Sequence, residues 1–285
     1  MSRTLGITIT LVWLACMAAL FQRDILPYCQ AQDPPAQLVP DGDYQVAIFN
    51  GSNQRVGTTW VTTIRLKEST TIHSLTQLDV RQVSSMLPFS GHLYLTTDLT
   101  YSPKGELNEF VFVLDSSAVQ GRIQGVRYDR EFACKATAGP ITQTLVLDAE
   151  ISKCLGDSLR PFTHLEGLHV GQSWQLRIID PFSMISGGAA EFSKKLVKVT
   201  AREPIEHENR TVECFKIESD DIVAWANDSG RILRQEVKIP LLGKWTMTDE
   251  PFDELEKRRA NAERQTLSNQ RSQQRESSEA IQAKD

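Results

Sequence analysis

The chain has 285 residues, 40% of them apolar and 24% charged, with a net charge of −5. These are ordinary values for one large globular domain or two modest ones, and they exclude a wholly disordered chain, a fibrous repeat and a polytopic membrane protein. The acidic balance supplies no global positive field, so no nucleic-acid partner is expected. Five scattered cysteines are too few for a disulfide-framework miniprotein.

Leu5 to Phe21 is an uncharged, largely apolar run, preceded by Arg3 and ended by Gln22, Arg23 and Asp24. As a helix it rises about 26 Å, slightly short of a hydrocarbon core of about 30 Å. That length lies between a signal peptide and a short membrane anchor. Cys29-Gln30-Ala31 is a weak cleavage site well beyond the run, and Trp13-Leu14-Ala15-Cys16 carries tryptophan where a lipoprotein signal needs leucine. Residues 1–29 are therefore read as an N-terminal membrane anchor or signal segment. Secretion after cleavage near Ala31 is the alternative to retention, and either places the main domain outside the cytoplasm, in a periplasm-like compartment. Residues 30–43, with Pro34, Pro35 and Pro40, form an extended spacer.

From residue 44 to 252 the dominant period is two. Leu93, Leu95, Leu99 and Tyr101 alternate with His92, Tyr94, Thr96 and Asp98. Phe110, Phe112 and Leu114 share one face, as do Trp174, Leu176 and Ile178, while Leu233, Val237 and Ile239 oppose Arg234, Glu236 and Lys238. Successive strand side chains point to opposite faces, so the pattern predicts sheets with one buried and one wet face. Turn residues separate the runs at Ser52-Asn53-Gln54, Ser102-Pro103-Lys104-Gly105 and Asn227-Asp228-Ser229-Gly230. The expected fold is all-β: a curved antiparallel sheet, half-barrel or sandwich of about a dozen strands. Gly156 to Gly171 is the best internal seam between its two halves.

Residues 253–285 change character, with seven acidic and seven basic residues and only Leu255, Leu267 and Ile281 as large apolar groups. Residues 253–266 have helix-forming composition and an i,i+4 pair, Glu254 with Arg258. Three widely spaced apolar residues do not offset the ordering entropy of the whole segment. A frayed helix followed by disorder is expected for this polar tail, with a partner-docking helix as the sharper alternative.

Candidate chemistry is sparse. His164 and His169 lie five apart with Gly167 between them, which is not the HExxH arrangement, and zinc needs a further ligand that the neighbouring sequence does not suggest. Gly171-Gln172-Ser173-Trp174-Gln175 has only half of a nucleophile elbow and leads into a strand instead of a helix. Pro88-Phe89-Ser90-Gly91-His92 and Pro181-Phe182-Ser183 are turn-like, and Gly187-Gly188 is a flexible link. Cys134, Cys154 and Cys214 lie in or beside strands. A Cys134–Cys154 bridge, with Cys29 as a fourth candidate, and buried free thiols are both open, and no base is adjacent for a thiol nucleophile. Glu218, Asp220 and Asp221 cluster without the alternating oxygen ligands of a calcium loop. Sequons begin at Asn50, Asn209 and Asn227. No catalytic residue, metal or cofactor is assigned, and the chain is read as a non-enzyme.

Three segments carry a resemblance. They are Phe49-Asn50-Gly51 through Arg55-Val56-Gly57-Thr58; Leu165-Glu166-Gly167-Leu168-His169-Val170-Gly171-Gln172-Ser173-Trp174 followed by Asp180-Pro181-Phe182; and Ala224-Trp225-Ala226-Asn227-Asp228-Ser229-Gly230-Arg231 through Val237. Their order and spacing, over roughly residues 43–250, resemble a group of uncharacterised envelope proteins of planctomycete-type bacteria. That group is itself similar to the accessory β domain of transglutaminase-like proteins and to the half-barrel of lipoprotein carriers. The resemblance implies an envelope location and a curved sheet. It transfers no catalytic residue, since no Cys-His-Asp domain is expected after Glu250.

The expected function is a membrane-tethered, extracytoplasmic binding or scaffold module, for lipid or another hydrophobic ligand on an apolar concave face. Candidate ligand-binding residues are Trp60, Phe110, Phe112, Trp174, Trp225 and Trp245; filling of the core is the alternative use for these large side chains. Expected partners are the membrane, through the N-terminal helix, and a lipid or an envelope protein. A protein-interaction subunit of an envelope complex, docking through the tail, is the second function considered, and an enzyme the third.

Overall fold

Among the described residues, alternating side chains fold into one antiparallel sheet of fourteen strands. The computed structural model describes residues 42–83, 91–118, 120–139, 141–149, 162–179, 192–239 and 243–282, with residues 12–14, 16, 17, 19, 20, 31 and 35. The first arm comprises β1 (Tyr44–Phe49), β2 (Arg55–Arg65), β3 (Thr70–Asp79), β4 (His92–Tyr101), β5 (Leu107–Ser116), β6 (Gln120–Tyr128), β7 (Glu131–Ala138) and β8 (Ile141–Asp148). The second comprises β9 (Ser173–Ile179), β10 (Phe192–His207), β11 (Arg210–Glu218), β12 (Ile222–Ala226), β13 (Ile232–Ile239) and β14 (Gly243–Glu250). Each arm is a meander, and β1 pairs with β14 to join them, so the sheet runs β8 to β1, then β14 to β9. The expected seam falls between β8 and β9, the two edge strands. Two helices follow sheet strands, a single turn α1 (Val80–Val83) after β3 and α2 (Glu254–Gln282) after β14.

Three hairpins share one turn. In Asn50–Gln54, Ser102–Glu106 and Asn227–Arg231 the first residue's N–H donates to the fifth carbonyl, at 3.0, 2.8 and 3.0 Å. The first side chain, Asn50 Oδ1, Ser102 Oγ or Asn227 Oδ1, accepts from the fifth N–H. The fourth residue has positive φ: Asn53 59°, Gly105 79° and Gly230 85°. A register shift flanks each turn, opposite Ile48/Phe49, Thr100/Tyr101 and Trp225/Ala226, leaving Val56, Asn108 and Leu233 as the extra residues on the strands that follow. A type I turn closed by a left-handed residue and a bulge has this form, which is why Asn and Gly recur at its fourth position.

One face of the sheet is apolar along its length. Tyr44, Val46, Ile48, Leu78, Trp245 and Met247 form its centre, Leu99, Leu107, Phe110, Phe132 and Cys134 one flank, and Trp174, Leu176, Val197, Val199, Ile217, Ile222 and Ala224 the other. Phe162 and Leu165 cap the last group, held by backbone bonds from Leu165 N to Gly230 O and from Ile232 N to Thr163 O. Gly125 lies under the Phe110 ring, where a Cβ would approach to 2.3 Å. Leu233 departs from the expected alternation. It packs with Trp225 and Cys214 on the opposite face, beside the register shift at Trp225/Ala226.

The opposite face carries α2, and the tail differs from expectation. Its helix is continuous through Gln282, where the sequence predicts helix only to about Thr266. Asp253 caps it, accepting from Leu255 and Glu256 N–H at 2.8 and 3.0 Å. Docking combines a small buried residue and polar contacts with two flanking apolar groups. Ala260 packs on Trp60, Leu75 and Tyr94, flanked by Phe252 and Leu267. Lys257 donates to Thr62, Arg264 to Thr96, and Glu263 accepts from Tyr94 and Gln77.

Among the described residues no helix is long and apolar enough to cross a membrane. Within the N-terminal run, residues 12–14, 16, 17, 19 and 20 are helical and exposed. The rest of that run, most of the 30–43 spacer, Cys29, Cys154, Pro88-Phe89-Ser90, Pro181-Phe182-Ser183 and Gly187-Gly188 lie outside the described residues.

Two substitutions test this packing. A Cβ at Gly230 would stand 2.0 Å from Leu165 O at a backbone angle that side chains rarely adopt. Gly230→Ala is therefore expected to cost about 2 kcal/mol or more in urea unfolding. Ala260→Leu, with no space over Trp60, is expected to cost about 1–3 kcal/mol by overpacking.

Candidate functional site

The six aromatic candidates do not converge. Trp174 packs edge-on against Phe162, with ring centroids 6.3 Å apart, and Trp245 lies with Val46 and Met247 at the centre of the apolar face. Phe110 contacts Phe132 and Phe112, each at 5.5 Å. Trp60 lies on the opposite face beneath α2. Trp225 is also on that face, its Nε1 donating to Glu203 at 2.5 Å and the Arg234 guanidinium 5.2 Å from its ring. All are buried except Phe112, which is half-buried.

Around Phe112 the apolar face stays open. Leu95, Leu114, Gly121, Ala138 and Ile141 stand side by side across β4 to β8, and Thr97, Phe112, Ile123, Ala136 and Gln143 form the adjacent row. Leu95, Leu114, Phe112, Ile123 and Ala136 are half-buried, while Ala138 and Ile141 are exposed. Gly121, Ala136 and Ala138 give a low floor flanked by Leu114, Phe112 and Ile123. Neither row contains a charge. Five strands span about 19 Å at their usual spacing. The result is a shallow apolar trough bordered by the half-buried Phe112, a sequence-predicted ligand residue. Thr97 Oγ1 is buried in the second row with no hydrogen-bond partner among the described residues.

The polar groups flagged by sequence go to structural pairings. Asp221 takes Lys195 at 2.6 Å, and Glu218 takes Lys216 at 2.9 Å. Hydrogen bonds from Thr200 and Lys216 hold the Glu218 carboxyl below its ordinary pKa. His164 bridges to Arg231 in the backbone, and the exposed His169 ring lies 3.4 Å from Gly167 O. Ser173 opens strand β9, with no strand-to-helix elbow. Asn50 and Asn227 spend their side-chain oxygens within their turns, and Asn209 sits at a positive-φ turn position. Among the described residues no group of three His, Cys, Asp or Glu could hold a metal.

Two features escaped the sequence. His73 Nδ1 lies 2.5 Å from Asp98 Oδ1 across β3 and β4, and Glu263 of α2 accepts from Tyr94 and Gln77, with His92 Nδ1 3.5 Å away. Burial, then the Glu263 bond and charge, hold the Tyr94 phenol well above its ordinary pKa, so it stays a donor. Asp98 sits on the wet face of a predicted strand, but its pairing with His73 depends on a register that alternation alone does not supply.

Several buried polar groups lack a partner among the described residues, and Gln235 is one with both side-chain atoms unpaired. Gln235 is 0% exposed on the apolar face beside Met247 and Ala224, with neither amide atom hydrogen-bonded among the described residues. Compared with family models, curated proteins and solved structures, the chain matches none.

Gln235→Met removes this unsatisfied amide at similar volume and is expected to raise stability by about 1–3 kcal/mol in urea unfolding. Cys134 and Cys214 are buried free thiols, each pushed up by burial to a pKa of about 11. Both are expected to resist iodoacetamide at pH 8 in the folded chain and to be alkylated after unfolding, as read by mass spectrometry. Because the folded pKa values lie above 9.0, this contribution to stability is complete below about pH 9 and is lost as pH rises through about 11.

Proposed function

We propose that the chain is a membrane-tethered, non-catalytic binding module whose β domain lies outside the cytoplasm and holds an acyl chain or similar apolar ligand. The supporting observation for the tether is the N-terminal run. Val12, Trp13, Leu14, Met17 and Leu20 are helical and 45–59% exposed, so this apolar surface is not used by the chain's own core. Burying such side chains in lipid is favourable by roughly 1.5–3 kcal/mol each. The 17-residue uncharged stretch is close to the hydrocarbon thickness. An anchored domain would then stand near lipid, with residues 30–43 as spacer.

For the ligand, the support is the trough beside Phe112. An apolar guest would cover Leu95, Leu114, Phe112 and Ile123, which the protein leaves half-exposed. Its uncharged rows favour a hydrocarbon over a polar metabolite.

The full chain, expressed in a bacterium with an envelope, is expected to pellet with membranes and resist extraction by high salt. Protease added to spheroplasts is expected to digest its β domain. Recovery in the soluble cytoplasmic fraction would overturn the tether. Purified full chain is expected to bind a fluorescent fatty acid, and Ile123→Glu to weaken that binding roughly tenfold or more by placing a charge in the trough. Absence of binding, or equal binding by the variant, would remove the ligand assignment.

A further inference from the structure

Strand β8 is an edge without the usual protection. It has one strand neighbour, β7, among the described residues, so one side of its backbone ladder is open. Natural edges are blunted by lysine, proline, a bulge or an inward charge. Ile141–Leu147 contains no charged residue and no proline, and its pairing with β7 shows no register shift. Ile141 is 68% and Val146 65% exposed, on opposite faces of the strand. The other edge differs, since β9 carries Arg177.

The phase of the open ladder can be fixed. Ala149 N donates to Arg130 O at 2.8 Å, continuing the β7–β8 register. In an antiparallel pair the residues that bond inward alternate with those that point outward. Ile141, Gln143, Leu145 and Leu147 therefore bond towards β7, and Thr142, Thr144 and Val146 present their N–H and C=O groups to the open side.

We infer that β8 pairs antiparallel with β8 of a second copy of this chain, about a two-fold axis through Thr144. This register sets Thr144 opposite Thr144 of the second copy and Thr142 opposite its Val146, so outward groups meet outward groups. Ile141 then meets Leu147 and Gln143 meets Leu145 on the trough face. Directly opposed residues share a face, so apolar sides stay matched. No like charges oppose one another in the overlap, and the contact is isologous and closed. It would extend the sheet without a break and close after two copies, whereas a β8-to-β9 contact is head-to-tail and leaves an edge open for further copies. The inference is independent of the tether and of the trough's ligand.

The test uses the full chain in detergent, followed by sedimentation and mild oxidation. A concentration-dependent dimer is expected. Val146→Lys, exposed and so compatible with folding, is expected to weaken it roughly tenfold or more by placing two lysines beside the new ladder. Opposed bonded pairs have Cα atoms about 5.5 Å apart, within disulfide reach. Thr144→Cys is therefore expected to give a cross-linked dimer on a non-reducing gel, above the background of the parent chain. In Thr142→Cys the two cysteines would lie four strand residues apart along the interface, about 14 Å, and no such dimer is expected. A parent chain that stays monomeric at all attainable concentrations overturns the inference. So does a dimer unaffected by Val146→Lys, or cross-linking that is equal in the two cysteine variants. Membrane association and fatty-acid binding, measured on the same Val146→Lys protein, are expected to be unchanged, so failure here is distinguishable from failure of the proposed function.

Discussion

The structure depends on the ladder between β1 and β14. Five residue pairs, from Gln45 with Glu250 to Phe49 with Thr246, unite an eight-strand meander with a six-strand one. Tyr44 through Ile48 are buried, so this strand is covered on both faces, by the apolar core on one and by the start of α2 on the other. The polar group at the junction is Gln45. Its Nε2 donates to Glu250 at 2.8 Å and Glu256 at 2.9 Å, and its Oε1 accepts from Asp253 N at 2.8 Å. One satisfied amide thus ties both strands to the helix. Buried amides cost little when fully bonded and much when not, and Gln45 and Gln235 stand at these two extremes within the same sheet.

Most of the chain's polar chemistry is absorbed by the same task. Arg231 pairs at 2.7 Å with Asp249, a carboxylate nearly closed off from solvent beside β1. Glu236 is held between Lys244 and Arg234 at 2.7 and 2.6 Å. Burial pushes its carboxyl up, but the bonds from the two cations outweigh it and leave it below its ordinary pKa. The cross-strand Lys244–Glu236 pair favours one register on the wet face more than it adds stability.

Strand positions and hairpin turns were legible because their causes are local. The alternation in His92–Tyr101 marks β4, and Asn227-Asp228-Ser229-Gly230 has the residues that its turn geometry demands. The tight turns at Asp129 and at Glu208-Asn209 were less visible, since they hold positive φ without glycine. The separation of the aromatic candidates was not legible at all. Trp60 and Val61 are adjacent in sequence yet lie on opposite faces, and which face receives α2 follows from long-range contacts with Ala260. The length of α2 was missed for a related reason. Three apolar residues understate its stability, because it also docks through Ala260 and a row of hydrogen bonds to the sheet.

The strand that joins the two arms is made first, and its partner last. During synthesis β1 must wait until residue 250 has left the ribosome, an interval of roughly ten to forty seconds at ordinary elongation rates. Through that time the nascent eight-strand arm ends in an apolar border, Tyr44, Val46 and Ile48, that only the finished chain can cover. Hairpins form in microseconds, so the delay belongs to translation rather than to folding. A secretory route that holds the chain extended until release would keep that border from finding the wrong neighbour.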